Sequence, residues 1–199
     1  GISNITYVDT FNKMISFDVG PGNCLIDQWV RNKTGKEFDK DGIFAKSGQI
    51  NQNILNKFLS CPYYKKKFPK SLDIKDFNLK DLNDLSFEDG CATLSMLTVK
   101  SIGAALNNFK DQPNLVLLTG GGRKNRYIFD NIKKEFGNSI MLIDDFNLRG
   151  DFSAGLNGDF IESQAFAYLA IRSYLELPIS FPGTTGVKEP CKGGKVIKY

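Results

Sequence analysis

The chain has 199 residues, of which 41% are hydrophobic and 24% are charged, with 26 Lys and Arg against 22 Asp and Glu. A folded chain of this length buries roughly 70% of the surface that it exposes when unfolded, which is enough for a real core. No apolar run approaches the ~20 residues that a transmembrane helix needs, so we expect no membrane span. The net charge of +4 favours a solvated surface over a nucleic-acid interface, although Lys65–Lys67 form a dense basic run.

The sequence contains no histidine, which excludes an imidazole base and a histidine-ligated zinc. Its four cysteines are too far apart in sequence for a CxxC pair, and a chain with such a core needs no disulfide bonds. The first residues also lack a basic region followed by an apolar stretch. We therefore expect reduced cysteines and a cytoplasmic protein.

The first predicted elements are two strands, over residues 2–8 and 14–19, that form a β-hairpin. The second strand runs into a glycine-rich turn, Asp18-Val19-Gly20-Pro21-Gly22-Asn23, and a helix follows until Gly35. A short helix is predicted over 51–59. A long amphipathic helix then begins at a capping box formed by Ser86 and Asp89 and continues to Phe109 with one apolar stripe.

The second half of the chain predicts a βαβ unit. Residues 115–118 are a short apolar run, typical of a strand buried on both faces, and lead into Thr119-Gly120-Gly121-Gly122. A helix over 125–136 and a strand over 139–143 complete the unit. The last helix spans 159–175, and its apolar residues have spacings that suit a core, namely Ile161, Ala165, Phe166, Tyr168 and Leu169. The fold class is therefore α/β.

Both glycine-rich turns follow a strand, a position that suits anion binding. Backbone N–H groups approach an anion where no side chains intervene, and a helix N-terminus favours negative charge. Asp18 suits a hydrated Mg²⁺ near phosphates, although an ordinary tight turn with Asp18 as a helix cap also explains it. The second turn lacks the features of a P-loop or a dinucleotide fold. Its glycines offer a flat wall to a base or sugar, or serve close helix–strand packing.

Seven separated stretches resemble the anhydro-N-acetylmuramic acid kinase family, in the family's order and at its spacing, from Gly1 to about Gly186. Gly1–Thr6 is similar to the motif GGIANLT and Phe17–Asn23 to FDTGPGN. The other matches are Leu25–Trp29, Phe38–Gly42, Pro69–Ser71, Leu118–Gly122 with Asn125, and Glu162–Ala170. The chain departs from the pattern at four places: Val19 replaces Thr, Gly158 replaces Pro, Gly90 lies in a helical stretch, and Arg123-Lys124 replaces a small and a polar residue.

The resemblance implies a ribonuclease-H-like ATPase lobe of the actin and hexokinase type, with a central sheet flanked by helices, over residues 1–199. This lobe is the C-terminal part of a two-lobed kinase that uses ATP and Mg²⁺, and the N-terminal lobe is absent. The implied reaction opens and phosphorylates 1,6-anhydro-N-acetylmuramic acid to N-acetylmuramic acid 6-phosphate in peptidoglycan recycling. The general base and the GTSxDGxD phosphate loop are expected in the N-terminal part, so the catalytic residues are not assigned.

The resemblance also implies ligand-binding positions. Ser3 and Asn4 belong to a phosphate hairpin, and the positions expected by the phosphates and metal are Asp18, Gly20, Gly22 and Asn23. The positions that line the adenosine are Gly120, Gly121, Gly122 and Asn125. Glu162 faces the sugar, or is a first-turn carboxylate favoured by the helix dipole. The expected partners are the sugar and the absent lobe, with a homodimer left open and no nucleic acid or membrane.

Two other functions stay open. The departures at Val19 and Arg123-Lys124 fit a non-catalytic remnant or nucleotide-binding module that keeps the fold without the chemistry. A different actin-like ATPase, such as a relative of acetate kinase, would instead accept small carboxylates. If the chain is the C-terminal lobe of the kinase, the side that normally faces its partner is expected to expose an apolar patch.

Overall fold

The computed structural model describes residues 1–11, 13–73, 75, 77–137, 139–146, 156–195 and 197. The strands are β1 Ser3–Val8, β2 Met14–Gly20, β3 Val116–Leu118 and β4 Ile140–Leu142. The α-helices are α1 Cys24–Thr34, α2 Ile43–Ser47, α3 Gln52–Leu59, α4 Phe87–Leu106, α5 Arg126–Phe136, α6 Ile161–Tyr174 and α7 Pro182–Thr185.

The first two strands form the predicted antiparallel hairpin. Asn4 lies opposite Asp18, and the register is irregular between Ser3 and Asn4. Because successive side chains of a strand point to opposite faces, β2 has two distinct sides. Phe17 and Val19 are buried in an apolar cluster with Ala105 of α4 and with Phe109, which follows this helix. Asp18 lies on the opposite side of β2.

The parallel pair β3 and β4, connected by α5, confirms the predicted βαβ unit. All three residues of β3 are half-buried, so the expectation of a strand buried on both faces is wrong. The reason is that β3 pairs only with β4 within the described part of the chain. The described strands form two separate pairs rather than one central sheet, and the α/β class is confirmed.

The long helix α4 is the centre of the core. Ser86 Oγ accepts a hydrogen bond from the backbone N–H of Asp89 at 3.1 Å, which confirms the predicted helix start. The prediction of a single apolar stripe is wrong, because 14 of the 20 residues of α4 are buried and some of these are polar. Its neighbours explain this burial, since α1, α2, α3, α5 and β2 all pack against it. Gly90 has a steric reason, because a Cβ atom there would overlap the Trp29 indole.

The last long helix, α6, forms as predicted, but the core packing expected for it is wrong. None of its residues is buried, and the side chains of Phe166 and Tyr168 are 64% and 59% exposed. The following segment folds back on the helix, where Arg172 Nε donates to the Pro178 carbonyl at 2.7 Å. That segment leaves the apolar side chains uncovered.

The four cysteines are free, as expected, and Cys91 is buried in the core. Burial raises the pKa of the Cys91 thiol to about 12, so it behaves as a neutral packing residue. Among the helices that the structure describes, none is long and apolar enough to cross a bilayer.

Candidate functional site

The two glycine-rich turns meet in the folded chain, although about 100 residues separate them. A Cβ atom placed on Gly122 would lie 3.2 Å from Asn23 Oδ1, so the second turn touches the first. A Cβ atom on Gly22 would lie 2.9 Å from Ser3 Oγ, so the start of the hairpin lies there as well. The structure therefore brings together residues that the sequence analysis assigned to three separate ligand-binding motifs.

The first turn needs its glycines for packing. Gly22 has φ +55°, which favours glycine, and a Cβ atom there would overlap the carbonyl oxygen of Gly1. A Cβ atom on Gly20 would lie 2.5 Å from the Cβ of Ser101. The hydroxyl of Thr98 donates to the Gly22 carbonyl at 2.7 Å, so α4 holds the turn in place.

Asp18 anchors a neighbouring segment rather than a helix. Its carboxylate Oδ2 accepts from the backbone N–H of Leu72 at 2.8 Å, and its own N–H donates to the Lys70 carbonyl at 3.0 Å. The N-cap of α1 is Asn23, so the alternative in which Asp18 caps this helix is wrong. The carboxylate Oδ1 of Asp18 has no hydrogen-bond partner among the described residues.

A cavity of about 510 Å³ opens beside Asp18. Asn4, Lys70 and Ser71 line it, together with the hydroxyl side chains of Thr184 and Thr185 in α7. These hydroxyls are not among the site residues predicted from the sequence. The signal available was the Thr184-Thr185-Gly186 run, but its position beside β2 depends on tertiary packing of α7.

The second turn leaves an open wall. Within the described residues, no atom lies within 4 Å of a Cβ position built on Gly120 or Gly121. Close packing therefore does not explain these two glycines. Gly120 has φ +76°, which only glycine adopts readily, whereas the conformation of Gly121 accepts a side chain. A planar ligand group can approach the backbone here without displacing a side chain.

Two of the assigned residues have other contacts in the structure. Asn125 is buried, and its Oδ1 accepts from the backbone N–H of Ile128 at 3.1 Å, so it caps α5. This contact supplies a structural role, and the adenosine role of Asn125 stays a prediction. Glu162 is exposed in the first turn of α6, and its role toward the sugar also stays a prediction.

An ion-pair cluster holds the second turn. Arg123 is 8% exposed, its Nη1 donates to the Gly120 carbonyl at 3.1 Å, and its Nε and Nη2 donate to both oxygens of Asp144 at 2.6 and 3.2 Å. Nη2 also donates to Asp159 at 2.9 Å. The hydrogen bonds from Arg123 lower the pKa of Asp144 to about 2, so this carboxylate stays charged at neutral pH.

Two departures from the family pattern meet in this cluster. A Cβ atom on Gly158 would lie 2.5 Å from Arg123 Cζ, so glycine at 158 leaves the space that the guanidinium fills.

The departure at Val19 has a separate explanation. Val19 is 3% exposed in the cluster with Phe17, Ala105 and Phe109, on the side of β2 opposite Asp18. A hydroxyl at position 19 would therefore point away from the cavity beside Asp18.

The described side chains suit a Mg²⁺ ion that is bound mainly by the phosphates of a substrate and by water. The described residues contain no group of three or more Cys, Asp or Glu side chains that could hold a metal ion. In phosphoryl-transfer sites Mg²⁺ keeps several waters and is bound by one or two carboxylates together with substrate phosphates. A single carboxylate at Asp18 fits that kind of site.

The fold and the site define a class: an α/β protein whose strand–turn–helix units bring two glycine-rich turns into contact. The sequence model that describes anhydro-N-acetylmuramic acid kinase matches residues 1–198. The chain belongs to this family.

Three relatives illustrate the similarity, each with the name anhydro-N-acetylmuramic acid kinase. The protein from Pelagibacter ubique is 42% identical over 207 aligned residues, which cover 100% of this chain and 53% of the relative. The protein from Zymomonas mobilis is 38% identical, covering 98% of this chain and 52% of the relative. The protein from Rhizobium rhizogenes is 37% identical, covering 100% and 51%. The chain thus spans about half the length of the curated relatives it matches.

Proposed function

We propose that the chain is the C-terminal half of an ATP-dependent kinase that converts 1,6-anhydro-N-acetylmuramic acid to N-acetylmuramic acid 6-phosphate in peptidoglycan recycling. The observation that carries the proposal is the family match over residues 1–198, at half the length of the relatives. The contact between Asn23 and Gly122 supports it, because this contact joins two distant turns that we propose bind one ligand. We propose the actin and hexokinase type of ATPase lobe on the same basis.

The proposed reaction couples hydrolysis to phosphoryl transfer. The oxygen of water bonds to C1 of the anhydro sugar, the bond between C1 and O6 breaks, and O6 takes the γ-phosphoryl group of ATP. ADP leaves, and the proton lost by water passes to a base. Such a reaction depends on positioning and charge neutralisation, which suits a chain without histidine.

The residues of this chain have distinct parts in the proposal. The Gly20–Asn23 turn and the N-terminus of α1 present backbone N–H groups to phosphate oxygens, with Ser3 and Asn4 beside them. Gly120 and Gly121 present bare backbone to the adenosine. Bound Mg²⁺ would supply neutralisation of the phosphate charge, and Asp18 would hold it, through water, with Oδ1.

The proposal includes a second half of the enzyme. The GTSxDGxD phosphate loop and the general base belong to that N-terminal half, and a homodimer of the complete enzyme is part of the same proposal. A cytoplasmic location is also proposed, and the free cysteines support it because thiols stay reduced in that compartment.

The experiment that tests the proposal combines the chain with the N-terminal half of the Pelagibacter relative. We expect the 199-residue chain alone to form no phosphorylated sugar, because its groups bind ligands without aligning water and phosphorus. Phosphorylated product, measured by mass spectrometry with ATP and the anhydro sugar, should appear when both halves are present. The control is the relative's own two halves mixed in the same way.

Two results would overturn the proposal. Product formed by the chain alone, free of contaminating kinase, would show that the second half is unnecessary. If the control pair is active and the mixed pair is not, the chain is a remnant. The remnant hypothesis depended on Val19 and Arg123-Lys124, and the packing of Val19 and the ion pairs of Arg123 now explain those residues structurally.

A further inference from the structure

A second cavity, of about 380 Å³, lies on the side of β2 that carries Val19. Its walls are β2, the segment that follows α3, and the C-terminal part of α4 from Ser101 to Asn108. Phe17 and Lys70 line both this cavity and the one beside Asp18, whereas none of the residues assigned above to ATP, Mg²⁺ or the sugar lines it. The cavity is of a size that accepts a small molecule.

Four lysines surround this cavity: Lys65, Lys66, Lys67 and Lys70. Among the described residues, no carboxylate lines it and no acidic side chain forms an ion pair with any of the four lysines. Lys70 is half-buried, with its Nζ 4.4 Å from the centroid of the Tyr63 ring. Burial and the neighbouring Lys66 lower the pKa of Lys70. An anion in the cavity would relieve the repulsion among these ammonium groups.

The floor of the cavity is apolar and neutral. The rings of Phe17 and Phe68 stack at 4.9 Å between centroids, and Val19 and Ala105 continue the apolar surface. Tyr64 and Ser101 form a polar pair at the floor, with their hydroxyl oxygens 2.8 Å apart. Burial raises the pKa of Tyr64 to about 12, so its hydroxyl carries no charge. The cavity therefore combines a positive rim with a surface for an uncharged ring.

We propose that this cavity binds a small phosphorylated molecule whose phosphate is attached to a flat, apolar ring. Lysines act as point charges toward phosphate. A group of several lysines suits a ligand with a phosphate dianion better than a ligand with a single carboxylate. The ring would lie against the edge of the Phe17 and Phe68 pair. A ligand here would contact the strand and the segment that position Asp18, from their other side.

The test uses titration calorimetry of phenyl phosphate into the 199-residue chain at low salt. We expect binding that weakens at least tenfold in the variant Lys65→Gln/Lys66→Gln, because the dianion loses two positive charges that line this cavity and not the one beside Asp18. A second variant, Ala104→Leu, reduces the cavity itself. Ala104 is exposed and leucine is a good helix former, so the fold tolerates this change, and binding should again weaken at least tenfold.

The matched control removes the same charge elsewhere. Lys33 lies over the Trp29 ring, which packs against Gly90 near the start of α4. The cavity begins at Ser101, roughly 16 Å further along that helix than Gly90. Lys33→Gln/Lys36→Gln should therefore bind phenyl phosphate within twofold of the unmodified chain.

Three results would overturn the proposal. The first is the absence of binding at millimolar phenyl phosphate. The second is an equal loss of affinity in the Lys33→Gln/Lys36→Gln control, which would show attraction to net charge alone. The third is inorganic phosphate binding as tightly as phenyl phosphate, because the ring would then contribute nothing.

Discussion

Asp18 has one observed role and one proposed role: its Oδ2 accepts a hydrogen bond from the backbone N–H of Leu72, and its Oδ1, which has no described partner, is proposed to hold Mg²⁺ through water. Asp18→Asn keeps an oxygen that can accept the Leu72 hydrogen bond and removes the charge. In the enzyme reconstituted with an N-terminal half, we expect kcat/KM to fall about one hundredfold, or about 2.7 kcal/mol. The thermal midpoint of the chain should change by less than about 2 °C, since ~1 kcal/mol corresponds to 2–4 °C at this size.

A matched control for this substitution lies in the hairpin turn. Asp9 Oδ1 accepts from the backbone N–H groups of Phe11 and Lys13 at 2.9 and 2.8 Å, so Asp9→Asn also removes a charge and keeps an acceptor. Its reconstituted rate should equal that of the unmodified chain. If Asp18→Asn also leaves the magnesium-dependent rate unaltered, Asp18 serves only to anchor the segment beside β2.

Gly121 allows a direct test of the adenosine wall. No described atom lies near its Cβ position, and its φ lies outside the left-handed region, so Gly121→Val should leave the thermal midpoint nearly unchanged. We expect ATP to bind the chain weakly and Gly121→Val to weaken that binding at least tenfold, because the branched side chain occupies the space that the base needs. Titration calorimetry showing equal affinities would mean that no ligand approaches this glycine.

Among the structural elements, the short segment that precedes α6, residues 156–160, is connected to the second turn by Arg123. Gly158→Ala would place a methyl group against the guanidinium, so we expect it to destabilise the chain by about 1–3 kcal/mol. Arg123→Met also destabilises, because it leaves Asp144 and Asp159 without this partner. The double variant should lose less stability than the sum of the two single variants, because the shorter methionine gives room to the methyl group.

Urea unfolding of the four proteins measures this coupling. Gly103→Ala is a useful comparison, because its Cβ atom would instead overlap the Phe136 ring, which Arg123→Met does not move. Strict additivity of Arg123→Met with Gly158→Ala would contradict the explanation that these two departures from the family pattern compensate each other.

The elements that the sequence predicts well are those with local signals. The hairpin, the helix that ends at Gly35 and the start of α4 at Ser86 follow from alternation, from a left-handed glycine and from a side-chain cap. Burial was predicted less well. The expected stripe of α4 and the expected core packing of α6 were wrong, because burial depends on which elements pack on a helix and not only on its own sequence.

In the candidate site, too, the features with a local sequence signal are predicted and those that depend on tertiary packing are not. The sequence identifies both glycine-rich turns, but the contact between Asn23 and Gly122 arises only from tertiary packing. The anchoring of Leu72 by Asp18 also joins residues that are 54 positions apart, so no local pattern indicates it. The roles of Ser3, Asn4 and Asn125 toward a ligand stay predictions.

At the scale of the whole molecule, the most unusual surface is the apolar side of α6. Three side chains at helical spacing, Tyr168, Ile171 and Tyr174, are 59%, 59% and 68% exposed. An exposed patch of this kind is typical of a surface that contacts another protein or another part of the same one. The relatives are about twice as long as this chain. The second half that the proposed function includes is a candidate to cover this surface.

We therefore expect the 199-residue chain to self-associate through α6, and analytical ultracentrifugation should show its weight-average mass rising with concentration. Ile171→Glu/Tyr174→Glu should shift the chain toward monomer, because each carboxylate would lose its hydration in an apolar contact. The control Gln52→Glu/Asn53→Glu adds the same charge at the N-terminus of α3, where acidic residues are tolerated, and should leave self-association unchanged. An N-terminal half from a relative should suppress self-association of the unmodified chain in proportion to the complex formed. A chain that is monodisperse and monomeric at high concentration would show that α6 is stable in water without any covering partner.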